Sequence, residues 1–387
     1  MGKNKNQHFV PQTYLRRFSN CRRRRTINLG LLKQPPRIIP AVSIRDQCSS
    51  SYFYGQDDAL EALLQGMEGL YSTALDRLLS GDLSQDVRYA LGTFALLQHL
   101  RTERALNERT ALIRKMDQQF RPEGIGLRGL AGEIDPKLEV QGQIDIFAKE
   151  FGIIEDLEIV ILENHTSAPF ITSDDPAMII NRLYSQRYRD DTSGLIQSGL
   201  VFCLPLTSKL YLLGYDSDVY APIGRYGRLD IRTEADVDRL NSLQVQRCLN
   251  AIFFEDLDHE AYVLRCIRRF SSLRRESWHR MWIGAPFEKT KEHTAYRRAT
   301  EDELKAANGL IVSWSPIIPE PASWPTFIHI KMRPFGYTNG SAVGYVRAAQ
   351  LRRRPDEGLK KVLLPRTIPS NHTGSGREVI YEYNRKP

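Results

Sequence analysis

The chain reads as an α+β protein, an N-terminal helical part packed on a mainly antiparallel sheet, with a small β-rich C-terminal appendage. Three observations predict this. Residues 57–81 keep an unbroken helical rhythm of apolar side chains, residues 153–213 change to short apolar runs of strand length, and Pro316, Pro319, Pro321 and Pro325 interrupt the chain at the start of its C-terminal part.

From the N-terminus, His8 to Phe18 carries five large apolar side chains, enough to hold this segment against the body. Thr26–Leu29 and Arg37–Ile39 flank a turn containing Pro35 and Pro36 and read as a short hairpin. Asp57 opens a helix on which Leu60, Leu64, Met67, Tyr71, Leu75 and Leu78 share a stripe, and Gly81 ends it. A second long helix is expected from Ser84 towards Met116, apolar nearly all round between Leu91 and Leu100 and therefore central. A weaker helical stretch covers 136–150. Strands are expected at 157–162, 169–172, 177–180, 201–204 and 210–213, helices at 234–248 and 257–275, and further strand pieces at 327–330 and 379–383. A boundary near residue 290 would divide a core of residues 1–290 from a basic tail of 291–387.

Bulk properties exclude several classes. No apolar run approaches the roughly 18–20 residues of a membrane-spanning helix. Met1 to His8 has no apolar core of the kind a signal peptide needs, so a cytoplasmic chain with no membrane partner is expected. Cys21, Cys48, Cys203, Cys248 and Cys266 are scattered without metal-ligand spacing, which points to reduced thiols rather than a disulfide framework or a zinc site. P-loop, dinucleotide-binding, zinc-protease and serine-hydrolase motifs are missing.

The net charge of +8 is unevenly placed. Residues 1–45 hold eleven Lys and Arg and no acid, residues 46–341 sum to −9, and residues 342–387 sum to +6. The densest points are Arg22, Arg23, Arg24 and Arg25, and Arg352 to Arg354. Clustered guanidinium groups suit phosphate, so nucleic acid, RNA or DNA, is the expected partner; a solvated loop or a protein contact is the alternative.

Several polar blocks stand out. They are His8, Pro11, Gln12, Tyr14, Leu15 and Phe18; Tyr52-Phe53-Tyr54; Glu61 and Glu68; Gln98, Arg101 and Thr102; Thr172-Ser173-Asp174-Asp175-Pro176; and Pro205-Leu206-Thr207. In order and spacing they resemble a bacterial family catalogued as domain of unknown function 4238, with Asp175 where that family usually carries Asn. The resemblance spans about residues 7–256 and implies no particular reaction. An effector of bacterial antiviral defence or a toxin system is the setting that this type of family suggests.

The residues themselves suggest roles. Gln98 and Arg101 are one turn apart on an apolar stripe, so Arg101 requires a carboxylate or a phosphate. If Glu68 is its partner the pair is structural; if a ligand phosphate is, Glu68 is free for acid–base or metal work. Asp174 comes after a predicted strand, where it either faces a cleft or caps its own turn. His8 is the first choice for an acid or base, with a packing histidine as the alternative.

The leading expectation is a phosphodiester hydrolase of nuclease type. His8, Glu68 and Asp174 would be catalytic, and Glu68 with Asp174 would hold Mg²⁺ or Mn²⁺. Gln12, Arg16, Gln98 and Arg101 would grip phosphate, and Arg22 to Arg25 would hold the strand. The alternative is a non-catalytic module binding nucleic acid or a protein, its motif residues forming a structural network. A third option, a nucleotide-processing enzyme, calls for a pocket lined by aromatic side chains.

Overall fold

The computed structural model describes residues 6–21, 23–120, 136–188, 193–290, 293–306, 309–340, 344–367 and 379–383. It is an α+β fold. Strand β1 (Asn6–His8) pairs antiparallel with a strand after the first hairpin. Helix α1 (Gln12–Leu15) runs on into a 3₁₀ turn (Arg16–Phe18), and the hairpin is β2 (Thr26–Leu31) with β3 (Arg37–Ser43). β4 (Ser49–Ser51) is the partner of β1, with His8 opposite Ser49.

Next come four helices: α2 (Asp58–Leu79), α3 (Gln85–Leu100), α4 (Glu103–Phe120) and α5 (Pro136–Glu150). The Asp57 side chain accepts the free N–H groups of Ala59 and Leu60, which is why α2 starts there, and Gly81 leaves it at φ +98°. Asp57→Ala is expected to cost about 1 kcal/mol of stability, read as a lowered midpoint in thermal denaturation.

The helix expected from Ser84 to Met116 is two helices. Arg101 leaves helical geometry at φ −105°, ψ 4°, and the Thr102 hydroxyl accepts the Ala105 N–H at 3.2 Å, capping α4. Its own proton goes to Asp175 at 2.8 Å. The Gln-x-x-Arg-Thr block is therefore a helix break, held by bonds that a continuous helix would not form.

The central sheet runs β10–β5–β9–β8–β7, from β5 (Leu157–Asn164), β7 (Met178–Ile180), β8 (Val201–Pro205), β9 (Leu210–Asp216) and β10 (Arg228–Ile231). It is antiparallel except where β10 lies parallel to β5. Alternation along β5 puts Ile159 and Ile161 into one core and Val160 and Leu162 into another. The first core holds α2, α3 and the N-terminal segment. The second holds α6 (Glu234–Arg247) and α7 (Glu260–Phe270). A sheet covered on both faces accounts for apolar runs with no polar alternation. A second sheet, β3–β2–β11–β6, adds β6 (Thr172–Ser173) and β11 (Ala251–Phe254) to the hairpin.

The expected boundary near 290 falls inside an antiparallel hairpin, β12 (His279–Lys289) with β13 (His293–Arg298). β12 also pairs β14 (Ile311–Pro316), and β13 pairs β17 (Val379–Tyr383). The rest of the tail packs on the second core. Trp324, Ile328, Tyr345 and Leu364 complete the second core, and buried Arg347 pairs with Asp156. Residues 327–330 supply an isolated bridge, Ile330 to Tyr220, rather than a strand. The tail's own small ladder is β15 (Phe335–Thr338) with β16 (Lys360–Leu363), and helices α8 (Glu301–Ala306) and α9 (Ala349–Arg353) are short. No helix among the described residues is long and apolar enough to cross a membrane. Cys203, Cys248 and Cys266 are buried free thiols, and Cys21 and Cys48 are half-buried.

Candidate functional site

A cleft of about 300 Å³ opens between the N-terminal segment and α2. Each element turns residues into it by its own periodicity. Pairing of β1 with β4 buries Gln7 and leaves His8 on the cleft wall. Helix α1 and its 3₁₀ extension present Gln12 and Arg16 one turn apart, with the Arg16 guanidinium donating to the Gln12 amide oxygen at 3.2 Å. On α2, Glu61, Gln65 and Glu68 succeed each other at spacings of four and three, so all three face the same way.

Behind the wall the polar groups are interlocked. Gln7 Nε2 donates to Glu61 Oε1 at 2.6 Å and to the Gly55 carbonyl at 2.9 Å, and its own oxygen accepts the Tyr54 N–H at 2.7 Å. Glu68 Oε1 accepts from Arg101 Nη1 at 3.2 Å. Arg101 Nε donates to Gln98 Oε1 at 3.0 Å, and Gln98 Nε2 to the Phe9 carbonyl at 2.8 Å. Arg101 and Gln98, expected to grip phosphate, lie beneath the floor, 1% and 0% exposed, and Arg101 Nη2 is buried with no hydrogen-bond partner among the described residues. Glu68 takes Arg101, and the group that remains on the cleft is a carboxylate 26% exposed and held in place from behind.

The imidazole of His8 is half-buried. Its Nε2 lies 3.0 Å from the Arg45 carbonyl, which can only accept, so Nε2 carries a proton and the neutral ring keeps its lone pair on Nδ1. Loss of water through burial holds its pKa below 6.5. The Arg45 carbonyl and the charge of Glu68 pull it back up, and the Arg101 charge pushes it down again. Arg16 is exposed, and among the described residues no carboxylate lies within ion-pair distance of it, whereas its neighbour Arg17 is tied to Asp76 at 2.8 Å.

Asp174 is elsewhere, and its expected catalytic and metal-binding role is corrected. Its two oxygens accept the backbone N–H groups of Leu249, Asn250 and Ala251 at 2.7, 2.7 and 3.0 Å, tying the end of α6 to the entry of β11. It does not line the cleft, so the expected metal pair of Glu68 with Asp174 is not assembled there. Among the described residues no group of three or more His, Cys, Asp or Glu gathers as a metal site. Burial pushes the Asp174 pKa up to about 6, against the pull of those three donors. Asp175, in the bend after β6, instead forms a buried pair with Arg247 at 3.0 Å.

The arginine runs divide. Arg22 lies outside the described residues. Arg23, Arg24 and Arg25 are exposed on the loop before β2 and do not line the cleft. Arg352, Arg353 and Arg354 are engaged by Glu155, Glu150 and Glu357, so the second run is a set of internal pairs. Sequence reasoning missed Gln7 and Gln65. Gln65 was legible in principle, because its spacing from Glu61 and Glu68 continues one polar stripe; Gln7 carried no signal beyond its place next to His8.

The family blocks meet in space. The Tyr14 hydroxyl sits 2.7 Å from Thr172 Oγ1 and donates to the Pro205 carbonyl at 2.8 Å, joining three blocks far apart in the chain. The chain matches no curated protein and no solved structure. The model of the family described as "Protein of unknown function (DUF4238)" matches residues 6–258, the stretch that supplies both walls of the cleft, and the chain belongs to that family.

Proposed function

We propose that the cleft hydrolyses phosphodiester bonds in nucleic acid, with His8 as general base and then general acid. One observation carries the reading: a half-buried imidazole, an anchored carboxylate and an exposed guanidinium with no carboxylate partner among the described residues share one open polar cleft. Arg16 and Gln12 would hold the non-bridging phosphate oxygens, the geometry in which a planar guanidinium is strongest. A water molecule attacks phosphorus and gives its proton to His8 Nδ1 as the ester P–O bond breaks. The imidazolium so formed, favoured by the charge of Glu68, returns that proton to the leaving oxygen. Arg101 and Gln98 are positioning residues, and the exposed Arg23, Arg24 and Arg25 would attract the strand.

A second reading, a non-catalytic module for nucleic acid or a protein, is favoured by a different observation. Gln98, Asp174 and Asp175 spend their hydrogen bonds within the protein and help define the fold. Incubation of the purified chain with labelled RNA and DNA, in Mg²⁺, Mn²⁺ or EDTA, separates the two. Cleavage that His8→Ala removes supports the hydrolase, and the EDTA arm decides whether a divalent ion takes part. Salt-sensitive binding with no cleavage supports the module.

The acid limb of the pH profile is a further expected result. Because burial lowers the His8 pKa, kcat/KM should stay level down to about pH 6.5 and fall only below it, where the base is protonated. A limb centred above pH 7 would count against His8 as the base.

A further inference from the structure

On the other side of the Arg101–Thr102 break lies a second cavity, of about 350 Å³. Unlike the cleft at His8, it is lined largely by apolar and aromatic surface and is built from both parts of the chain. His99 and Gln143 come from the family region, Trp278 and Trp314 from the segment beyond it. Four features restrict what could fill it.

The charges on its lining are already paired. Arg109 binds Glu139 at 2.6 Å, and Arg247 binds Asp175 and Glu108 at 3.0 and 3.2 Å. An added charge would find no counter-ion here, so the ligand is neutral. Trp314 is 54% exposed, an indole face open to a flat partner, while the Trp278 ring is already covered by the Arg247 guanidinium at 4.9 Å.

Several groups remain for hydrogen bonding, the Trp278 Nε1–H among them, which is buried without a partner among the described residues. His99 Nδ1 lies 3.1 Å from the Ala177 carbonyl and must donate to it, and burial keeps the ring neutral, so Nε2 is an acceptor. Gln143 is 7% exposed, and its amide belongs to the cavity lining. A side-chain amide there offers a donor and an acceptor together.

We propose that this cavity binds a nucleobase, stacked on Trp314 and read along its hydrogen-bonding edge by Gln143 and His99. A base is flat, neutral, and carries adjacent donors and acceptors, and the sugar and phosphate would remain outside the mouth. The source is either a free nucleoside or a base turned out of a single strand. Base binding here is independent of the reaction at His8.

The test is a fluorescence titration of the full chain with each of the four ribonucleosides and with short single-stranded oligonucleotides. A stacked base quenches indole emission. The expected result is saturable quenching, with affinity falling about tenfold or more in Trp314→Ala, restored in part by Trp314→Phe, and weakened also in Gln143→Leu. Trp314 is exposed enough that its removal leaves the fold intact. His8→Ala should bind as the parent does, so failure of the cleft chemistry and failure of this site are told apart. Binding of mononucleosides assigns the pocket to free ligands, and binding of oligonucleotides without mononucleosides assigns it to a flipped base. No saturable quenching by any of these probes, or equal affinity in Trp314→Ala, overturns the proposal.

Discussion

His8→Ala is expected to slow phosphodiester cleavage by about 10²–10⁴-fold, the usual value of a positioned acid–base group, while moving the thermal midpoint little. The two readouts separate because of how His8 is held. Its bond to a protein group, Nε2 to the Arg45 carbonyl, is at the surface, and losing such a bond costs about 1 kcal/mol. Glu68→Gln behaves differently. The amide oxygen can still accept from Arg101, but the charge that balanced a buried guanidinium is gone, so rate and stability should fall together. Initial rates on labelled substrate, paired with circular-dichroism melts of the same preparations, give both numbers. An unchanged rate in a folded His8→Ala protein would remove His8 from the mechanism.

Asp174→Ala should abolish activity for another reason: it unfolds the protein. Three backbone N–H groups lose their acceptor at once where α6 hands over to β11, and each unsatisfied buried donor costs about 1–3 kcal/mol. A loss of at least about 3 kcal/mol in urea denaturation is the expected result. The pH dependence has a definite sign. The carboxyl is raised from 3.8 to about 6 by burial, so the stability it contributes is fully present below about pH 3.8 and declines as pH rises through 6. The gap between parent and variant should therefore be wider at pH 4 than at pH 8. A variant as stable as the parent but catalytically dead would return Asp174 to the active site.

These two residues mark the limit of what the sequence can show. Asp57, Gly81 and the apolar stripe of α2 are local signals, and the helix forms where they place it. The strands of the central sheet were legible for a similar reason, since runs apolar on both faces have few other homes. His8, Gln12, Arg16 and Glu68 do share a cleft, but nothing local distinguishes them from Asp174. An aspartate that meets solvent and one that gathers three backbone donors some 75 residues away look the same in the chain. The break at Arg101 was hidden likewise, because Thr102 stops the helix through a bond to Asp175 that periodicity cannot register. In the tail the prolines announce the turns and say nothing of the second core into which Trp324 and Tyr345 fit.

The sheet covered on both faces has a consequence for the order in which this chain acquires its structure. The bonds that close it join segments 191 residues apart, at Tyr14 to Pro205 and at Arg347 to Asp156, and 227 apart at Asn28 to Glu255. Contacts of such long range require large loops to close before they are rewarded, which slows the search for the native state. The His8-to-Phe18 segment leaves the ribosome before the strands that will receive it, with Tyr14, Leu15 and Phe18 destined for full burial. It must wait, apolar and uncovered, until the strands near residues 172 and 205 exist to receive it. The half of the cleft that carries His8 is thus made before the strands that receive it and settles only after them.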